Sequence, residues 1–105
     1  MYDCAASTGG CAFADILKVG SKSPLGDGKW QQADLAGSIW EWALDVDQAY
    51  ASPCVDCANL GTGSNRIIRG GGWFPVAAQQ LTSFRNSKSP DLRDPGIGIR
   101  CARDL

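Results

Sequence analysis

Histidine is absent from all 105 residues. Any zinc site would therefore have to be all-thiolate, and any iron centre would lack its usual imidazole donor. A basic surplus is missing too: Lys+Arg 10 against Asp+Glu 11 leaves a net charge of -1, and nothing in that balance points to nucleic acid. Long apolar runs do not occur. The hydrophobic stretches are short and broken by Gly, Ser or charge, far below the roughly 18 residues of a membrane span. Met1 leads straight into the polar, cysteine-containing YDCAASTGGC, which has no apolar core of the kind a signal peptide carries. Helical periodicity is scarce, and no internal repeat, low-complexity tract or interdomain linker is visible.

What is present reads as one small domain over residues 1–105, with 44% hydrophobic and 20% charged residues. That is the composition of a globular chain, not a disordered one. A chain of this size buries roughly two-thirds of its unfolded surface, so a single modest core is expected. Thirteen glycines and the shortage of helical patterning predict an α+β fold made mostly of short strands and ordered loops. ILKVG at 16–20 is expected as a strand, followed by the turn-rich SKSPLGDGK. In QADLAGSIWEWALD, Asp34 opens a tight turn through Gly37 and Ser38. A strand then places Trp40, Trp42 and Leu44 on one face and Ile39, Glu41 and Ala43 on the other. RIIRGGGW at 66–73 reads as a strand running into a glycine turn open to close approach. VAAQQL at 76–81 reads as a helical turn, LTSFRN as a further strand, and IGIRCAR as the last one, with Ile97, Ile99 and Cys101 on one face.

Five cysteines, Cys4, Cys11, Cys54, Cys57 and Cys101, are the most unusual feature of the composition. Cys54 and Cys57 form a Cys-x-x-Cys inside the long irregular connection 46–65, and structureless loops of that length are usually functional or cross-linked. Only one of the two close pairs has a usual zinc spacing. Disulfides in an exported protein fit the loop-rich surroundings better, with the odd cysteine left over. The pairing itself is not legible from spacing.

Three islands in fixed order, DLAGSIWEW at 34–42, RIIRGGGW at 66–73 and IGIRCAR at 97–103, preceded by VGS at 19–21, resemble the formylglycine-generating-enzyme, or sulfatase-modifying-factor, family. Its pattern looks like VGS or PVG, then D/N-x-x-G-N-x-W-E-W, then R-G-G-S-W or R-G-G-S-F, then G-F-R-C. The resemblance implies a C-type-lectin-like fold of that family's variety, represented here by its C-terminal part and so truncated.

Carried over position by position, the resemblance implies a structural calcium held by the Asp34 carboxylate, the carbonyls of Gly37 and Ile39, and the Glu41 carboxylate. Such a set suits a cation that takes six to eight oxygens. The alternative is that Asp34 caps its turn while Glu41 pairs with Arg69 or Arg100. The resemblance also implies a copper-binding cysteine pair after the glycine turn, but Pro75 and Gln80 stand at those places and Gly72 replaces the usual serine. No copper is expected, since neither residue offers a thiolate. Cys101 matches the cysteine of G-F-R-C, which in the family commonly pairs with one in the part preceding this chain. Trp40, Trp42 and Trp73 are read as core or edge-of-core aromatics, not a sugar platform. Arg85 and Arg100 line a polar groove or pair with Asp91, Asp94 or Glu41.

The expected function is a non-catalytic binding or structural module, stabilised by calcium, that takes a protein or peptide and forms a homodimer, with no nucleic-acid or membrane partner. The rival readings are an oxidase acting on a cysteine-containing peptide, as in formylglycine generation, and calcium-dependent carbohydrate binding.

Overall fold

The β-rich sequence WEWALDV becomes the longest strand of the chain, and the rest of the sheet is assembled around it. A computed structural model describes residues 13–55, 57–73 and 77–101. Strands β1 (Trp40–Val46), β2 (Arg66–Arg69), β3 (Asn86–Lys88) and β4 (Ile97–Gly98) form one sheet in the order β3-β2-β1-β4. The pairs β1–β2 and β2–β3 are antiparallel, and β1–β4 is parallel. With two short 3-10 turns at Phe13–Asp15 and Ala77–Gln80, this is a small mixed sheet with few helical residues, consistent with the α+β expectation.

Side chains alternate across the sheet. Trp40 and Ile68 line a hollow on one face, while Ile67 and Arg69 line a cleft on the other. The register agrees: Trp42 faces Ile68 and Glu41 faces Arg69. Between Trp42 and Val46 the ladder slips. Val46 instead donates its N–H to the Asn59 carbonyl at 2.8 Å, and Asp47 donates to that of Asn65 at 3.1 Å. The bulge thereby fastens the long connection to the end of β1.

Val46, Ile67 and Ile68 are the buried apolar side chains among the described residues. Each contributes about 1.5–3 kcal/mol by leaving water. Val46 is sealed from above by Gly63, where any added Cβ would collide with the valine. Trp40 packs against Phe84 with ring centroids 6.0 Å apart and rings tilted by 46°, a separation within the favourable range for aromatic pairs.

Several expected elements differ. Residues 16–20 form no strand. Successive turns, from Ser21 N–H to Lys18 carbonyl at 3.0 Å and from Ser23 N–H to Gly20 carbonyl at 3.0 Å, use the backbone groups that a strand would have paired. LTSFRN pairs only from Asn86 onward, because the carbonyls of Thr82 and Phe84 turn to the Arg69 guanidinium. IGIRCAR pairs only at Ile97–Gly98, since Arg100 is drawn toward β1. The helical turn expected around VAAQQL is the 3-10 turn at Ala77–Gln80.

Candidate functional site

The DLAGSIWEW block turns back through two left-handed residues, Asp34 at φ 55 and Gly37 at φ 88. Asp is among the few side chains that visit this region, and Gly enters it freely. The Gly37 N–H donates to the Gly70 carbonyl at 2.8 Å, which ties the block to the glycine turn after β2. Asp34 does not cap its own turn: its Oδ2 accepts the N–H of Gly20 at 2.7 Å and so anchors the VGS element.

Glu41 pairs with Arg100. The Arg100 Nε donates to both carboxylate oxygens at 3.0 Å. Its Nη2 donates to Oε1 at 2.8 Å and to the Asp34 carbonyl at 3.2 Å. The Glu41 hydrogen bond, against the opposing effect of partial burial, holds the guanidinium above its ordinary pKa, with further help from the charges of Glu41 and Asp34.

This arrangement bears directly on the calcium expected from Asp34, Gly37, Ile39 and Glu41. Both Glu41 oxygens and one Asp34 oxygen are already engaged, and a guanidinium sits between Glu41 and the Asp34 carbonyl. Among the described residues no three Cys, His, Asp or Glu side chains converge to hold a metal. A calcium ion drawing on Glu41 would have to displace the Arg100 guanidinium, which already meets both Glu41 oxygens and the Asp34 carbonyl.

The glycine turn works as a close-approach site. At Gly71, with φ 70, an added Cβ would lie 3.0 Å from the Gln79 carbonyl oxygen and 3.2 Å from the Gln80 Cγ. At Gly72 it would lie 3.1 Å from the Trp40 indole. The approach is thus made by the chain's own backbone and side chains. Gln80, one of the two places where the resemblance implied a copper thiolate, is a half-buried amide beside this turn. Pro75, the other, lies outside the described residues. The adjoining hollow of about 300 Å³ is lined by Trp40, Ile68, Trp73, Gln79, Asp94 and Ile97 among others, and no cysteine is among the described residues of its lining. Trp40, Trp42 and Trp73 are all half-buried, as edge-of-core aromatics should be.

On the opposite face lies a cleft of about 530 Å³ between the sheet and the long connection. Tyr50 is part of its lining and joins its two arginines. Arg69 donates from Nη2 to the Tyr50 hydroxyl at 2.8 Å, and the Arg85 guanidinium stacks 4.2 Å from the Tyr50 ring centroid. Such stacking adds an electrostatic attraction to the contact. Arg69 Nη1 also donates to the carbonyls of Thr82 and Phe84 at 3.0 and 3.1 Å, and Arg85 Nη1 donates to that of Gln48 at 2.8 Å. Cys54 and Cys57 line the same cleft and are joined as a disulfide with Cα atoms 5.7 Å apart, an ordinary separation for a bridge. Cys101 is free and exposed; Cys4 and Cys11 lie outside the described residues.

The groove role expected for Arg85 is realised, whereas Arg100 takes the pairing alternative. The contributions of Tyr50 and Arg69 to the cleft were missed. Arg69 carried a usable signal, since it falls two positions after Ile67 on the same strand face. Tyr50 sits in an irregular loop and carried none.

The family model of the sulfatase-modifying factor enzyme 1-like domain matches residues 15–105. The chain is 37% identical over 92 residues to the formylglycine-generating enzyme of Streptomyces coelicolor, covering 82% of this chain and 28% of that protein. It is 30% identical over 93 residues to the hercynine oxygenase of Mycolicibacterium thermoresistibile, covering 78% and 20%. It is 26% identical over 93 residues to the hercynine oxygenase of Mycolicibacterium smegmatis, covering 78% and 21%. The chain therefore spans between a fifth and three-tenths of these relatives' lengths. No solved structure matches the chain significantly.

Proposed function

The chain belongs to the sulfatase-modifying factor enzyme 1-like family, and on that premise we propose that it is a non-catalytic binding or structural module whose ligand is a protein or peptide. The observation that carries this reading is the chemistry after the glycine turn. Between Gly72 and Arg100 the chain contains neither cysteine nor histidine, so this stretch supplies no soft thiolate or imidazole for a redox metal. A C-type-lectin-like form of the fold is part of the proposal and rests on the family pattern. Family membership alone does not assign a function, so the positive part of the reading rests on the cleft. It combines an aromatic ring, two guanidinium groups and an apolar wall formed by Val46 and Ile67, a mixture suited to a peptide segment. Export to an oxidising compartment is also proposed, supported by the Cys54–Cys57 disulfide.

The test is conversion of a cysteine in a sulfatase-type peptide to formylglycine, followed by mass spectrometry with and without added copper. The proposal expects the thiol to survive in both arms; copper-dependent loss of the thiol with appearance of the aldehyde would overturn it. An oxidase acting on a cysteine-containing peptide is the second reading, favoured by the names of the relatives. Calcium-dependent carbohydrate binding would require Glu41 to leave its pairing with Arg100.

A further inference from the structure

The Cys54–Cys57 bridge has features that a purely structural staple does not need. A disulfide stabilises mainly by closing a loop in the unfolded chain, and the effect shrinks as the loop shortens. This one joins cysteines only 3 positions apart. Both cysteines are exposed and both line the 530 Å³ cleft. The described lining of the cleft carries two arginines against one carboxylate, a surplus of one positive charge. Arg69 and Arg85 line it, and among the described residues the ion pair present is that of Arg100 with Glu41. The carboxylate in the described lining, Asp45, has its Oδ1 engaged by the N–H of Asn59 at 2.9 Å.

We infer that Cys54 and Cys57 form a reversible thiol–disulfide exchange site for a cysteine-bearing peptide with acidic flanks. Exchange needs a sulfur that an incoming thiolate can reach and a field that stabilises the departing thiolate. Exposure meets the first need, and the surplus positive charge of the described lining, Arg69 and Arg85 against Asp45, favours the second. The peptide thiolate attacks one sulfur of the bridge, a new sulfur–sulfur bond forms to the peptide, and the Cys54–Cys57 bond breaks. The other cysteine leaves as a thiolate and takes a proton from water. A second peptide thiolate then attacks the peptide sulfur of the mixed disulfide and releases the remaining cysteine. In sum, two peptide thiols lose two electrons and two protons to become a disulfide, and the protein disulfide becomes a dithiol. Tyr50 positions the cleft, since one arginine bonds its hydroxyl and the other stacks on its ring. The acidic preference follows from the two arginines.

This inference rests on the reading of the cleft as a peptide site, and the experiment separates the two. Matched synthetic peptides with a single cysteine flanked by glutamates or by lysines are incubated with the oxidised protein at low salt. The mixture is quenched in acid, and mixed disulfides are mapped by mass spectrometry. The expected result is a mixed disulfide on Cys54 or Cys57, forming about tenfold or more faster with the glutamate peptide and slowed in Arg85→Gln. If no mixed disulfide maps to these cysteines, or if the rate is indifferent to both peptide charge and Arg85→Gln, the inference is overturned. A serine-for-cysteine version of the glutamate peptide, followed by fluorescence anisotropy, reports on binding alone. Binding of that peptide without exchange by its cysteine counterpart would sink the exchange site and leave the peptide-binding reading standing.

Discussion

The Arg100 guanidinium grips the Glu41 carboxylate through three hydrogen bonds of 2.8 to 3.0 Å, joining residues 59 positions apart in the chain. This contact fastens the segment after β4 onto β1, and through the Asp34 carbonyl it reaches the turn before β1 as well. The contact is partly solvated, with the two side chains 38% and 25% exposed, so its worth is that of a well-formed surface pair. A double-mutant cycle of Arg100→Gln and Glu41→Gln, read by denaturant unfolding, should give a coupling of about 1 kcal/mol. A coupling near zero would make the contact incidental. The guanidinium's pKa is raised on folding, so its contribution is present below the unfolded arginine pKa and is lost only as pH rises through the still higher folded value. From this group, no decline is expected between neutral and moderately alkaline pH.

Calcium should leave the melting temperature of the protein unmoved, as should a chelator, because Arg100 already provides the cation that Glu41 and the Asp34 carbonyl face. A resident ion at a hundred times its dissociation constant would add about 2.7 kcal/mol, which thermal unfolding detects easily. A calcium-dependent rise, abolished by Glu41→Ala, would restore the metal site implied by the family pattern.

Gly71 and Gly20 separate backbone strain from crowding. Both have positive φ, but an added Cβ at Gly20 meets nothing within 4 Å, whereas at Gly71 it meets the Gln79 carbonyl at 3.0 Å. Gly20→Ala should cost about 1 kcal/mol from its left-handed backbone alone. Gly71→Ala should cost about 3 kcal/mol, because crowding against fixed backbone adds to the strain. Equal costs in chemical denaturation would show that the glycine turn is looser than described.

Self-association as a homodimer is expected at micromolar concentration. Val19, Leu25, Val55 and Ile99 are each more than three-quarters exposed, and β3 and β4 are the outer strands of the sheet. Exposed apolar surface and open strand edges recruit further chain, and two-fold pairing is the commonest way to close such contacts. Light scattering should report twice 11.1 kDa. A monomer with and without reductant would contradict this expectation.

The amino-acid order by itself determined the parts governed by local chemistry. Alternation in WEWALDV specified the longest strand and, as far as the register slip after Trp42, its two faces, and RIIRGGG specified a strand ending in a glycine turn. The order of short motifs specified the family, and the spacing of Cys54 and Cys57 allowed their bridge. Tertiary structure decided whatever depends on a partner far along the chain. ILKVG formed no strand, because turns and the Gly20 N–H given to Asp34 took up its backbone groups. IGIRCAR stopped after two paired residues, because Arg100 swings to Glu41, and that same swing set a guanidinium where a cation had been expected. Tyr50, Arg69, Arg85 and the disulfide became one cleft only when the bulge at Val46 folded the long connection back over the sheet. No periodicity records such contacts, since their free energy arises from charge and packing between segments that are neighbours only after folding.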